Sequence, residues 1–212
     1  MDIKIIIDFL NHSDTHWDYR SPVRINNEFD IQPNQFLIFA ELDLTAPYEH
    51  NLINALSNAK RALDSQIDTL LLGFDFYLVA KNNMWGFPKK IELIQKLGIL
   101  APRVLKKINT TRNLMEHQFV KPKQEMVEDF VDIVSLFLAS TDKYIYELPG
   151  DCELVNEILT DFWLQMSLEL TAHKLSLSVK SNNQVNFTKD YKSADADYLP
   201  LLKGYLKAGY NY

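Results

Sequence analysis

Apolar positions recur at three- and four-residue steps through the first two thirds of the chain, then at two-residue steps, so helices give way to strands near Pro149-Gly150-Asp151. Ile3, Ile5, Ile6, Ile7, Phe9 and Leu10 form a short apolar segment that fits a helix or a strand. Polar, turn-prone sequence follows through Pro33. Asn34–Leu44 reads as a short helix with Phe36, Leu37, Ala40 and Leu44 near one face. Pro47 opens a longer helix to about Leu72, where Leu52, Ile53, Leu56, Ala59, Leu63, Ile67, Leu70 and Leu71 keep helical spacing. A third helix carries Ile91, Leu93, Ile94 and Leu97 up to a stop at Gly98. Pro102 suits the start of a fourth, to about Phe119, and Pro122 ends it and opens a fifth. In the fifth, Met126, Val127, Phe130, Val131, Ile133, Val134, Phe137 and Leu138 form the stripe, and Glu125, Glu128, Asp129 and Asp132 fall largely opposite.

Beyond residue 150, Leu164, Met166, Leu168 and Leu170 alternate with Trp163, Gln165, Ser167 and Glu169, Leu175, Leu177 and Val179 alternate with Ser176 and Ser178, and Val185 and Phe187 continue the pattern. This predicts an antiparallel meander of three or four strands, then a last helix from Asp195 through Lys207 with Tyr198, Leu201, Leu202 and Tyr205 inward. The expected architecture is mainly α: an extension over 1–34, an up-and-down helical bundle over 35–145, and a β-meander with a C-terminal helix over 146–212, α+β overall.

Composition adds limits. With 47% hydrophobic and 24% charged residues, the balance is that of a globular chain. The opening Met-Asp-Ile-Lys-Ile-Ile-Ile has no basic n-region or cleavage site, and no run of about 18 apolar residues occurs, so a secretory signal and a membrane span are not expected. Cys152 is the sole cysteine, which excludes an internal disulfide and a cysteine-based zinc site. A cytoplasmic location follows as the expectation. His12 and His16, four apart among Asp14 and Asp18, have metal-ligand spacing only on a helix; the sequence around them reads as a solvated loop, and no third ligand is identifiable. No metal or cofactor is expected.

The net charge of −6 is unevenly placed. Lys89, Lys90, Lys96, Arg103, Lys106, Lys107, Arg112, Lys121 and Lys123 face only Glu92 and Glu116 within 89–124, so this stretch is about +7 and the remainder about −13. Such a strip suits a polyanion; the alternative is a solvated, lysine-rich helix face.

The chemistry-bearing segment is Thr110-Thr-Arg112-Asn113-Leu-Met-Glu116-His117-Gln-Phe119. Arginine, a polar follower, and histidine at the fifth position, late in the fourth helix, resemble the HEPN superfamily, whose catalytic members carry Arg-x(4–6)-His. Asn54–Leu63 also looks like an early helix of such domains, and the resemblance covers roughly residues 35–142. It implies a four- to five-helix bundle that dimerises with the two motifs facing each other. It further implies metal-independent ribonuclease activity in toxin–antitoxin, defence or RNA-processing systems, with RNA and a cognate antitoxin or other protein as partners. Members without the motif serve as interaction modules. One subgroup has a tyrosine two residues after the histidine; here Phe119 stands there and cannot accept a nucleotidyl group.

The residues fit that chemistry. A histidine such as His117 can titrate near neutral pH and serve as general acid or base; Arg112 offers a fixed cationic fork to phosphate oxygens; Asn113 can hold a phosphate or orient the imidazole. Arg103, Lys106, Lys107, Lys121 and Lys123 would track the RNA backbone. Five residues turn an ideal helix by roughly 140°, so Arg112 and His117 converge only if the helix frays or if two subunits share the site. Two readings stand: a metal-independent endoribonuclease, and a non-catalytic HEPN module that dimerises and binds RNA, nucleotide or a partner protein. The plainest account of the motif itself is that Arg112 pairs with Glu116 while His117 caps a helix end.

Overall fold

The computed structural model describes residues 2–99, 122–181 and 184–210. In chain order the elements are α1 (Ile3–Asn11), β1 (Thr15–Val23), α2 (Pro33–Thr45), α3 (Asn51–Gly73), α4 (Tyr77–Asn82) and α5 (Phe87–Lys96). Then come α6 (Gln124–Tyr146), β2 (Leu148–Asn156), β3 (Trp163–Glu169), β4 (Lys174–Ser181), β5 (Gln184–Tyr191) and α7 (Tyr198–Tyr210).

The expected mainly-α bundle with a small β appendage is corrected: the described chain is α+β, with seven helices interspersed with a five-stranded antiparallel sheet of order β1-β2-β3-β4-β5. The difference arises at the N-terminus. What reads as an extension holds a buried helix and a nine-residue edge strand, and β1 pairs with β2 from Thr15↔Asn156 to Val23↔Leu148. Register shifts at Trp17/Tyr19 and Ser21/Pro22 break its two-residue alternation, so the strand is hidden in a polar, loop-like sequence. The expected fourth helix, 102–119, lies outside the described residues.

The helical side is built on α3 and α6. Ala55, Ala59, Ala62, Leu63 and Ile67 on one meet Val127, Phe130, Val134, Phe137 and Leu138 on the other, all in one buried cluster, and α2 packs against both. At the seam Gln66, 2% exposed, donates Nε2–H to Thr141 Oγ1 (3.0 Å) and Asp142 Oδ1 (3.1 Å), so its burial carries no unpaired amide N–H at that end. The C-terminal halves of the two helices therefore meet. α7 lies across β1 and β2 and against α1. A Cβ at Gly204 would fall 2.7 Å from Leu10 Cβ, so the α1–α7 approach needs glycine. Tyr205 donates to Gly150 O (2.8 Å) and Tyr198 to Phe74 O (3.1 Å), which fastens α7 to the sheet and to the end of α3. Burial pushes both phenols well above their ordinary range. No described helix is long and apolar enough to cross a membrane.

Candidate functional site

Arg112, Asn113 and His117, with Arg103, Lys106, Lys107 and Lys121 of the basic strip, lie outside the described residues. What is described is how the chain enters and leaves that segment. α5 is held by buried Phe87, Ile91, Leu93 and Ile94, and by Lys90, whose ammonium lies 2.5 Å from Asp68 Oδ1 on α3. Gly98, at φ +79°, turns the chain after it. On the far side Lys123 caps α6, which packs along α3. The Arg112–His117 segment thus joins two elements that both rest on α3.

The described lysines of the strip contribute unequally. Lys90 is matched by Asp68, and Lys96 by Glu92 at 2.7 Å, one turn earlier in the favourable order. The Lys96 ammonium holds the Glu92 carboxyl below its usual range. Lys89 lies over the Trp85 ring, 4.7 Å from its centroid. Lys123 is exposed at the N-terminus of α6, beside Glu125, Glu128 and Asp129. Acidic neighbours therefore pair with Lys90 and Lys96 among the described lysines of the strip.

The histidines of the N-terminal segment are engaged locally. His12 follows α1 with Nδ1 3.4 Å from Asp14 Oδ2, and His16 enters β1 with Nδ1 3.1 Å from Asp14 O. Among the described residues no group of three or more His, Cys, Asp and Glu gathers as a metal site needs.

Several groups were invisible to sequence reasoning because distant segments bring them together. Asp75, in the turn after α3, takes His173 Nδ1 (3.0 Å) from the β3–β4 hairpin and the hydroxyl of Ser193 (2.8 Å) from the loop before α7. Both Asp75 (φ 60°) and His173 (φ 52°) are left-handed, a conformation costly for residues with a Cβ. The carboxylate bonds the serine and the imidazole separately, so the serine is not activated by the histidine; the arrangement ties three loops together. A polar cavity of about 180 Å³ opens where α2 begins, lined by Arg24, Asn26, Asn27, Asn34, Gln66 and Tyr146 among others. Asn27 is already spent on Thr69 (2.7 Å), and the Arg24 guanidinium sits over the Tyr146 ring at 4.8 Å.

Arg20 is 13% exposed, donates to Gly209 O (3.1 Å) and lies over both Trp17 and Tyr210. Beneath it Cys152 is fully buried, and burial pushes its thiol up to about 11. At pH 8 the thiol is therefore protonated as well as shielded, and the thiolate appears only as pH nears the raised value. Native protein is expected to resist iodoacetamide at pH 8 and to take up one equivalent in denaturant, as read by intact mass; rapid native labelling would contradict this burial.

No protein-family model, curated protein or solved structure matches the chain.

Proposed function

We propose that the chain is a metal-independent endoribonuclease of HEPN type, cutting RNA through Arg112 and His117. The observation that carries this reading is the Arg112-Asn113-x-x-x-His117 spacing on the most basic stretch of an otherwise acidic chain. Its support is the setting: the segment is strung between α5 and α6, both packed on the long helix α3. In the proposed reaction the RNA 2′-hydroxyl attacks the adjacent phosphorus and the bond to the 5′-oxygen breaks. The products are a 2′,3′-cyclic phosphate and a 5′-hydroxyl. His117 moves the proton, Arg112 stabilises the charge that develops on the phosphoryl oxygens, and Asn113 orients. Two copies of the chain together bring Arg112 and His117 into range, which the helical rotation of roughly 140° prevents within one regular helix. An antitoxin or other protein partner would regulate the cut, in toxin–antitoxin, defence or RNA-processing settings.

Reversing Lys106 and Lys107 to glutamate is expected to weaken binding of single-stranded RNA severalfold or more. Wild-type affinity should fall with log salt at a slope near −0.7 for each phosphate contacted. Titrations of fluorescent RNA from about 50 to 200 mM salt check both; a flat salt response would reduce the strip to a solvated face. The cleavage itself is tested in EDTA with the His117 and Arg112 variants, as set out in the Discussion.

A further inference from the structure

The polar cavity at the start of α2 is walled by groups whose hydrogen-bonding capacity the fold leaves unused. Its volume is about 180 Å³. A cavity of ~150 Å³ holds a benzene, so a molecule of about six to ten non-hydrogen atoms fits here.

Gln66, 2% exposed, forms the buried wall. Its Nε2 donates toward Leu138 O (3.4 Å), Thr141 Oγ1 (3.0 Å) and Asp142 Oδ1 (3.1 Å) on α6. A carbonyl and a carboxylate only accept, so turning the amide end for end would set oxygen against oxygen. Oε1 is therefore the end directed away from these α6 groups, and it receives no donor among the described residues. The Asp142 carboxylate pulls on Nε2 and so polarises Oε1 into a stronger acceptor. A buried acceptor without a donor is unfavourable, and a ligand N–H relieves it.

The other wall is electropositive. Arg24 is exposed on the stretch between β1 and α2, its guanidinium over the Tyr146 ring, and no carboxylate pairs with it among the described residues. α2 begins at the same wall. Pro33 has no N–H, and the Gln35 and Phe36 N–H groups both reach Gln32 O. The Asn34 N–H is thus a first-turn donor without an acceptor among the described residues, at the positive end of the helix dipole. Asn26 and Asn34 also line the cavity, and neither side-chain amide bonds among the described residues.

We propose that this cavity binds a small polar α-amino acid as its zwitterion. The carboxylate lies against Arg24 and the Asn34 N–H, and the ammonium donates to Gln66 Oε1. An inorganic anion would satisfy one wall and leave Gln66 without a donor, and a whole nucleotide exceeds the volume. The amides of Asn26 and Asn34 both donate and accept, which suits the side chain of serine, threonine or asparagine. The site requires no RNA and stands apart from the nuclease reading.

Isothermal titration of the full chain with L-serine, L-threonine and L-asparagine should show saturable binding by at least one. A dissociation constant of about 10 µM to 1 mM is expected for so small a ligand. The Asn34 amide resonance in a nitrogen–proton correlation spectrum should move with the same saturation. Asn34→Asp sets a carboxylate against that of the ligand while favouring the helix N-terminus. Affinity should therefore fall about tenfold or more, with the melting temperature unchanged or raised. Arg24→Ala, at an exposed position, should also cost about tenfold or more, and Arg24→Lys less. Gln66 is probed through the ligand, which spares the fold. The analogue with hydrogen in place of the ammonium, such as succinamate for asparagine, should bind about tenfold or more weakly. No binding by any of the three at about 10 mM overturns the proposal. Equal binding by the deaminated analogue or by inorganic phosphate overturns it too, by making the cavity a plain anion site. Undiminished affinity in both Asn34→Asp and Arg24→Ala would place the amino acid elsewhere, and tighter binding of a free pyrimidine base would assign the cavity to RNA; either result overturns it.

Discussion

His117→Ala is expected to lower RNA cleavage by about 10²–10⁴-fold, the usual cost of losing a positioned general acid or base. Arg112→Ala should lower it by about a hundredfold or more, since a cation beside the developing phosphorane acts mainly in the transition state. Asn113→Ala should be milder, because an orienting amide leaves the proton carrier and the cation in place. The helical signal and melting temperature should stay close to wild type in all three. His50→Ala is a control: this imidazole is exposed, stacks on Tyr48 and lies outside the motif, so its variant should cut normally. The kinetic split is informative. A loss confined to RNA affinity, with an unchanged rate at saturation, would assign Arg112 and His117 to binding and favour the non-catalytic module. Equal cutting by His117→Ala and wild type would remove the enzyme reading altogether.

Phe9→Ala is expected to destabilise the native state by about 3–5 kcal/mol, the range for truncating a buried aromatic. Phe9 is 1% exposed, its ring lies 4.9 Å from that of Phe162, and its carbonyl accepts from Thr15 Oγ1 (2.6 Å). That hydroxyl in turn accepts from Asn156 Nδ2 (2.8 Å) on β2, so the buried ring sits at a joint where the Phe9 backbone carbonyl, Thr15 and Asn156 link α1, β1 and β2. For a chain of this size the melting temperature should fall by about 6–20 °C. A shift within a degree or two would mean that the N-terminal segment is an appendage whose loss the remaining core tolerates.

The N-terminal segment also shows where sequence reading stops. Helices with one sharply apolar face were legible: α6 from Val127, Phe130, Val134 and Phe137, and α7 from Tyr198, Leu201, Leu202 and Tyr205, all of which are buried. β3 and β4 were legible because each buries every second residue. β1 was not, since as an irregular edge strand it exposes Asp18 and Tyr19 in succession and finds its partner Asn156 across 141 residues. Val185, expected inward, is 59% exposed: the irregularity between Val179 and Lys180 pairs it with Lys180, whose ammonium lies over the outward Trp163 ring. α4 is too short for its period to register. As for chemistry, the Arg112–His117 motif is a local pattern that lies outside the described residues, whereas the Asp75–His173–Ser193 tie depends on two left-handed residues and three loops, which no local pattern announces.

Metal-independent transesterification is tested most directly by incubating the purified chain with mixed RNAs in EDTA and resolving the fragment ends by mass. The expected result is cleavage that persists in EDTA and leaves 2′,3′-cyclic phosphate and 5′-hydroxyl ends, and that is lost when the 2′-hydroxyl is replaced by hydrogen. Intact RNA in every buffer, or cutting that EDTA abolishes, would contradict it.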